Sequence, residues 1–152
     1  MSLRLAKTED AETLWRWAND LETRKNSFSQ APILWEDHLR WLQEKLQSPD
    51  TLILVGWQGD EPVGVVRFER RGTEAVVSVT VAPARRGEGL GRRILAAGIR
   101  ELQTRWSDVT VVAFVFKRNE PSFRLFAGCG FLPSGSEKDE VERFVLTPTG
   151  LS

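Results

Sequence analysis

Val79-Thr80-Val81-Ala82-Pro83-Ala84-Arg85-Arg86-Gly87-Glu88-Gly89-Leu90-Gly91-Arg92-Arg93 runs from a strand through a tight turn into a helix. The strand is EAVVSVTVA, residues 74–82, which alternates β-formers until Pro83 stops it. Gly87, Gly89 and Gly91 stand at alternate positions. Without Cβ atoms there, successive backbone N–H groups can converge. Those amides join the positive end of the helix that follows, an arrangement suited to a diphosphate. Arg85, Arg86 and Arg92 add local positive charge. Two other phosphate loops do not fit. No G-x-x-x-x-G-K-[ST] occurs, and the residue three after Gly89 is Arg92, where a dinucleotide loop needs glycine.

Outward from this turn, strand and helix patterns alternate, as in a sheet covered by helices. Downstream, the spacing of Leu95, Ile99, Leu102 and Trp106 predicts a helix over about 90–105. VTVVAFVF, 109–116, is almost wholly apolar and reads as a central strand buried on both faces. A short helix over about 119–128 stops at Gly130. Strands at about 130–132 and 141–147 close the chain, with GSEKDE between them as a solvated hairpin loop. Upstream, TLILVGWQ (51–58) and PVGVVRFE (62–69) form a meander with 74–82, turned at Gly59-Asp60 and Arg71-Gly72. Residues 2–6 read as a first strand. A helix over about 9–19 is capped by Thr8, residues 20–34 are irregular, and a second helix spans about 34–47 with Trp35, Leu39, Leu42 and Leu46 as its stripe.

Composition bounds the function. The 152 residues hold 21 Lys plus Arg and 21 Asp plus Glu, so a net charge of zero exerts no global pull on nucleic acid or an anionic membrane. One cysteine, Cys129, and one histidine, His38, leave no internal disulfide and no Cys/His metal site. The N-terminus turns acidic without a long apolar run, so neither a signal peptide nor a membrane anchor is expected and the cytoplasm is the expected compartment.

Two blocks carry a resemblance. Arg86, Gly89 and Gly91 form R-x-x-G-x-G after a strand ending V-x-V-x-P, and Asn119 to Phe131 reads NEPSFRLFAGCGF. The first is similar to the acetyl-CoA motif of the GNAT N-acetyltransferase superfamily, the second to its N-x-x-[AS]-x-x-[LF]-[YF]-x-x-x-G-F helix. The resemblance implies an α+β (α/β) GNAT fold over residues 1–152: one domain, a mixed, mostly antiparallel sheet of about six to seven strands, and about four helices on both faces. It implies acetyl-CoA as co-substrate, no metal, and direct attack of a primary amine in a ternary complex. The backbone of Val79 and Val81 would pair with the pantetheine arm, and an N–H at the end of that strand would hold the developing oxyanion. The amides of Arg86, Gly87, Glu88, Gly89, Leu90, Gly91 and Arg92 would hold the pyrophosphate. Asn119 and Ser122 would meet the pantetheine, although Asn119 reads equally as a helix N-cap. Phe126 would pack near the sulfur.

The chain also departs from the superfamily. Many members place at Phe126 a tyrosine that protonates the leaving thiolate, and this chain has no tyrosine. Ala75 and Val77, where some members carry a base, are apolar. Either the acceptor amine is weakly basic and needs little help, or an ordered water relays its proton, and His38 is a candidate to bind phosphate or relay a proton. The N-terminal half, from Trp17-Ala18-Asn19-Asp20 through Arg24-Lys25-Asn26-Ser27-Phe28 to Trp35-Glu36-Asp37-His38, resembles acetyltransferases of nucleotide-linked amino sugars, such as those of the pseudaminic-acid pathway. That resemblance implies Arg24 on a diphosphate, Asn26 on sugar or base, and His38 and Arg67 lining the acceptor pocket. Alternatives are a protein N-terminal acetyltransferase of the ribosomal type and a non-catalytic acetyl-CoA-binding module. The expected partner is a small-molecule amine, without nucleic acid or membrane, and the expected state is monomer or homodimer.

Overall fold

The computed structural model describes residues 1–138 and 140–148. Strands β1 (Ser2–Leu5), β2 (Thr51–Gln58), β3 (Glu61–Arg71), β4 (Glu74–Val81), β5 (Thr110–Phe116), β6 (Leu132–Lys138) and β7 (Val141–Leu146) form one sheet. Their order is β1-β2-β3-β4-β5-β7-β6. Every neighbouring pair is antiparallel except β4 and β5. The helices are α1 (Ala11–Ala18), α2 (Leu21–Lys25), α3 (Trp35–Gln47), α4 (Leu90–Arg105) and α5 (Glu120–Gly128). The mixed sheet and its strand number match expectation.

The two-residue period of the strands sorts side chains between two cores. In β2, Leu52 and Leu54 join Ile94, Leu95 and Leu102 of α4 and Phe126 of α5 on one face. Ile53 and Val55 join Leu14 and Trp17 of α1 and Leu42 of α3 on the other. Each such aliphatic side chain contributes about 1.5–3 kcal/mol on burial. Gly98 lets α4 lie close on the sheet: a Cβ there would sit 2.8 Å from Cγ1 of Val66.

One irregularity of the sheet positions the site. Parallel β4 and β5 are joined by α4, as a crossover requires. They pair only at Glu74–Thr110, Ala75–Val111 and Val76–Val112. Beyond Val76 the strands separate, and β4 continues against β3 alone, with Val79 opposite Val66 and Val81 opposite Gly64.

Three expectations are corrected. The segment read as irregular contains α2, because the Asp20 carboxylate accepts the Thr23 N–H (3.3 Å) and caps that turn. Thr8 does not cap α1. It opens a 3-10 turn, Thr8–Asp10, closed by the Lys7 N–H donating to Oδ2 of Asp10 (2.8 Å). The expected solvated loop at 135–140 is mostly strand. β6 runs through Gly135 to Lys138, paired to β7 with irregular register, and Asp139 lies outside the described residues. An edge strand held on one side only through its backbone carries little hydrophobic alternation, which explains why the sequence signal is weak there.

Candidate active site

The turn between β4 and α4 has the left-handed backbone that only glycine adopts freely. Gly87 and Gly89 have φ of 82° and 75°, in the region that favours glycine. A Cβ at either would meet no atom within 4 Å, so both backbones face open space. Gly89 is the α4 N-cap and supplies no side chain to cap it. The N–H groups of Leu90, Gly91 and Arg92 are therefore left by helix geometry without intrahelical acceptors. Gly91 closes the helix onto the strand: a Cβ there would lie 3.4 Å from Cγ2 of Val81.

The arginines flanking the concavity divide their work. Arg85 clasps the turn itself, donating to Glu88 (3.1 Å), Glu61 (2.8 Å) and Gln58. The Arg92 guanidinium lies over Gly128 at the end of α5, since a Cβ on Gly128 would fall 2.2 Å from its Nη2. Arg86 reaches the N-terminal half, donating to Oδ2 of Asp20 (2.5 Å) and Oγ1 of Thr23 (3.3 Å). That bond, with help from the Thr23 amide, holds the Asp20 carboxyl below its usual pKa.

At the far side of the strand split, Asn119 is the N-cap of α5: its Oδ1 accepts the Ser122 N–H (3.3 Å). Phe126 is buried, with its ring 5.2 Å from Phe131 and 6.2 Å from Phe144. It is a core residue of the α5 side of the sheet.

On the opposite face from α4, a cavity of about 500 Å³ opens between α1, α3 and the sheet. Its apolar wall includes Leu14, Trp17, Ile33, Trp41 and Ile53; its polar groups are Arg24, Asp37, His38, Arg67, Ser78 and Thr80. His38 and Arg67 both line this cavity, and Asn26 is not among the lining residues. It ends α2, with its Nδ2 on the Glu22 carbonyl (3.2 Å).

Arg24 reaches the cavity edge, but its guanidinium is engaged by backbone. It donates to the carbonyls of Ala18 (2.6 Å), Ser29 (2.8 Å) and Ala31 (3.4 Å), and to Oγ of Ser27 (3.2 Å). In this arrangement Arg24 shapes the loop after α2 rather than offering a fork to a diphosphate. The same loop is pinned elsewhere. Asn19 exchanges two bonds with Ile33 (2.9 and 2.7 Å), and Phe28 packs on Phe116 of β5 at 4.9 Å.

Arg67 is held from one side only. Its Nε lies 3.2 Å from Oε2 of Glu69, and its guanidinium lies 5.0 Å from the Trp41 ring. Burial works against its charge and Glu69 supports it. His38 is 5% exposed, and its Nε2 is the one buried side-chain polar atom without a hydrogen-bond partner among the described residues. Burial pushes its pKa below the ordinary imidazole value, against a backbone hydrogen bond at Ala11, so the neutral ring prevails at neutral pH.

Ser78 and Thr80 lay outside the sequence reading. They alternate with Val77 and Val79 along β4, and only the fold puts α1 and α3 over their face. Cys129 is half-buried and its thiol pKa is raised by burial, the state of a packing thiol and not a nucleophile. Among the described residues no group of His, Cys, Asp and Glu could hold a metal ion, and no helix is long and apolar enough to cross a membrane.

The residues present fit acetyl-CoA. The first-turn amides of α4 have no intrahelical acceptor, as a diphosphate site requires, and β4 beyond Val76 has no β5 partner, as a strand-like arm requires. Comparison with known proteins agrees. The model of the acetyltransferase (GNAT) family matches residues 12–131. The Bacillus subtilis protein YwnH, whose name proposes a phosphinothricin acetyltransferase, is 27% identical over 141 residues, covering 89% of this chain and 86% of that protein. Among solved structures, Salmonella typhimurium yncA, proposed to be an acetyltransferase and solved with its cofactor acetyl-CoA, superposes with a TM-score of 0.84. It is 22% identical, covering 100% of this chain and 96% of that one. The spermidine N-acetyltransferase of Vibrio cholerae, with CoA and spermine bound, superposes with a TM-score of 0.88 at 15% identity, covering 97% and 95%.

Proposed function

We propose an acceptor site and a proton route for this chain, which belongs to the acetyltransferase (GNAT) family and is an acetyl-CoA-dependent N-acetyltransferase. Bound acetyl-CoA supplies an acyl group already activated as a thioester. The protein's task is then to hold that group beside an amine, exclude water and accept a proton. The amides of Gly87 to Arg92 take the diphosphate, and the β4 edge at Val79 and Val81 takes the pantetheine, with Asn119 and Ser122 flanking it. An N–H of that edge faces the acyl carbonyl and polarises it.

The acceptor is a primary amine in the cavity of Arg67 and His38, and it attacks directly in a ternary complex. The observation that supports this is placement. Ser78 and Thr80 project into that cavity from the strand whose backbone edge opens beyond Val76, so one strand serves both sites. His38 is the proton acceptor of this reading: it is neutral, and its Nε2 lacks a partner. The narrower reading is a nucleotide-linked amino sugar, with its sugar against Trp17 and Trp41.

The experiment is a thermal-shift titration with acetyl-CoA, followed by transfer assays on amines. Acetyl-CoA at a hundred times its Kd should stabilise the fold by about 2.7 kcal/mol. Absence of any shift would remove the reading. Binding without transfer to any amine would favour a non-catalytic acetyl-CoA-binding module.

A further inference from the structure

We infer that the acceptor amine carries an oxyanion, a carboxylate or a phosphate, and that Arg67 is the residue that selects it. This rests on the cavity being the acceptor site. The argument begins with charge. Arg67 and Lys45 share one carboxylate, Glu69, whose oxygens lie 3.2 Å from Nε of Arg67 and 2.5 Å from Nζ of Lys45. Two cations on one anion leave a unit of positive charge at the cavity wall.

Arg67 lines the cavity with only part of its guanidinium committed to protein. Glu69 holds the Nε edge, Trp41 covers one face, and Nη1 and Nη2 have no hydrogen-bond acceptor among the described residues. The side chain nevertheless keeps 35% of its surface exposed, and it lines the cavity. A guanidinium held by its rear edge offers two parallel N–H donors, the geometry that carboxylates and phosphates accept. Walls of Trp, Leu and Ile lower the local dielectric, so the missing counter-charge matters more than it would in water.

The other charges of the cavity do not cancel it. Asp37 is the one acidic lining residue, and it lies 3.5 Å from Arg40. Arg24 adds a second positive charge at the rim, balanced only by carbonyl dipoles. A polycationic acceptor would therefore meet net repulsion. A zwitterionic or anionic amine would find Arg67 for its oxyanion and leave its amine free to turn toward β4. Amino acids and their phosphorus analogues satisfy this chemistry through their acid group, and nucleotide-linked amino sugars through their diphosphate.

Matched pairs test it in the intact protein with acetyl-CoA: ethanolamine against O-phosphoethanolamine, alaninamide against alanine, and galactosamine against a nucleotide-linked aminogalactose, with spermidine as the cationic control. The oxyanion-bearing member of at least one pair should show kcat/KM tenfold or more above its neutral partner. The phosphate, carboxylate and nucleotide arms tell the sources apart. In Arg67→Gln that preference should collapse through the KM of the anionic partner, so that the two members of a pair react with similar kcat/KM; Arg67→Lys should restore part of it. Thermal shift of the same compounds on the CoA-bound protein gives a readout independent of turnover. The inference is overturned if neutral amines or spermidine match the anionic set, if the preference survives in Arg67→Gln, or if no anionic member binds. Any of these leaves the acetyltransferase reading standing. That reading fails separately, if acetyl-CoA does not bind.

Discussion

Placing an aspartate at position 89 separates cofactor binding from folding better than any other single change. Gly89 has a φ of 75° and is the N-cap of α4. A side chain in that left-handed conformation costs about 1–2 kcal/mol, but aspartate is among the residues that tolerate it. As a cap, aspartate accepts a first-turn N–H and faces the positive end of the helix, which offsets about 0.5–1 kcal/mol. The new Cβ meets nothing within 4 Å, so no clash adds to the cost. The fold should therefore lose about 1.5 kcal/mol at most, a small shift in melting temperature. The cofactor meets a different balance. The added carboxylate fills the concavity, takes one of its donors, and stands roughly 4 Å from a bound phosphate, where like charges repel by about 4 kcal/mol at an effective dielectric near 20. Even half of that weakens binding about thirtyfold, and the whole about a thousandfold. Calorimetric titration of CoA into Gly89→Asp, beside its thermal melt, is the assay. A folded variant whose CoA affinity stays within threefold of wild type would refute the cradle. So would a parallel collapse of affinity and stability, which would mean that the glycine serves only the fold.

Four further outcomes follow from the same geometry. Asp20→Asn keeps the α2 cap but frees Arg86 from its carboxylate partner, so CoA should bind about three- to tenfold more tightly at low salt, as titration would show. Because Arg86 depresses the Asp20 pKa, the stability from that pair is present above the ordinary carboxylate range and is lost as pH falls through the lowered value. Acid unfolding of Asp20→Asn should lack that component. His38 is depressed by burial, so its contribution is full above about pH 6.5 and declines as pH falls below it; stability curves of His38→Gln should be flatter between pH 7 and 5. Arg24→Met removes three charge-assisted bonds to carbonyls and should cost about 2–3 kcal/mol in denaturant melts while raising acceptor KM through a loosened loop. Gly98→Ala gains helix propensity but drives a methyl to 2.8 Å from Val66 and 3.3 Å from Phe68, so a net loss of about 1–2 kcal/mol is expected on thermal unfolding.

What the sequence could reveal follows the range of the forces involved. β2, β4 and α4 were legible because period and punctuation are local: alternation, a proline stop, and glycines whose backbone freedom no other residue shares. The cradle belongs to the same class, since consecutive residues build it. Its arginines do not. Arg85, Arg86 and Arg92 look equivalent in sequence, yet one clasps the turn, one spans 66 residues to Asp20, and one lies over the end of α5. α2 was hidden because a five-residue helix has almost no period, and its Asp20 cap looked like any loop residue.

The cavity between α1, α3 and the sheet was harder still, because no local pattern encodes it. It takes one face each of β3 and β4, and the inner faces of α1 and α3, before Arg67, Ser78 and Thr80 become neighbours. The contrast between Arg24 and Arg67 makes the same point. Sequence alone expects both at the acceptor pocket, but the Arg24 guanidinium is engaged by backbone carbonyls whereas Arg67 is engaged only by Glu69 and Trp41. Availability depends on where backbone carbonyls converge, and that is settled only once the chain is folded. The loop after α2 turns its carbonyls inward around Arg24 because Asn19 and Phe28 pin its two flanks. β3 has no carbonyls to spare, since its ladders to β2 and β4 occupy them on both edges. A guanidinium on that strand must find its acceptors in side chains or in a ligand, and Glu69 reaches only one edge of it.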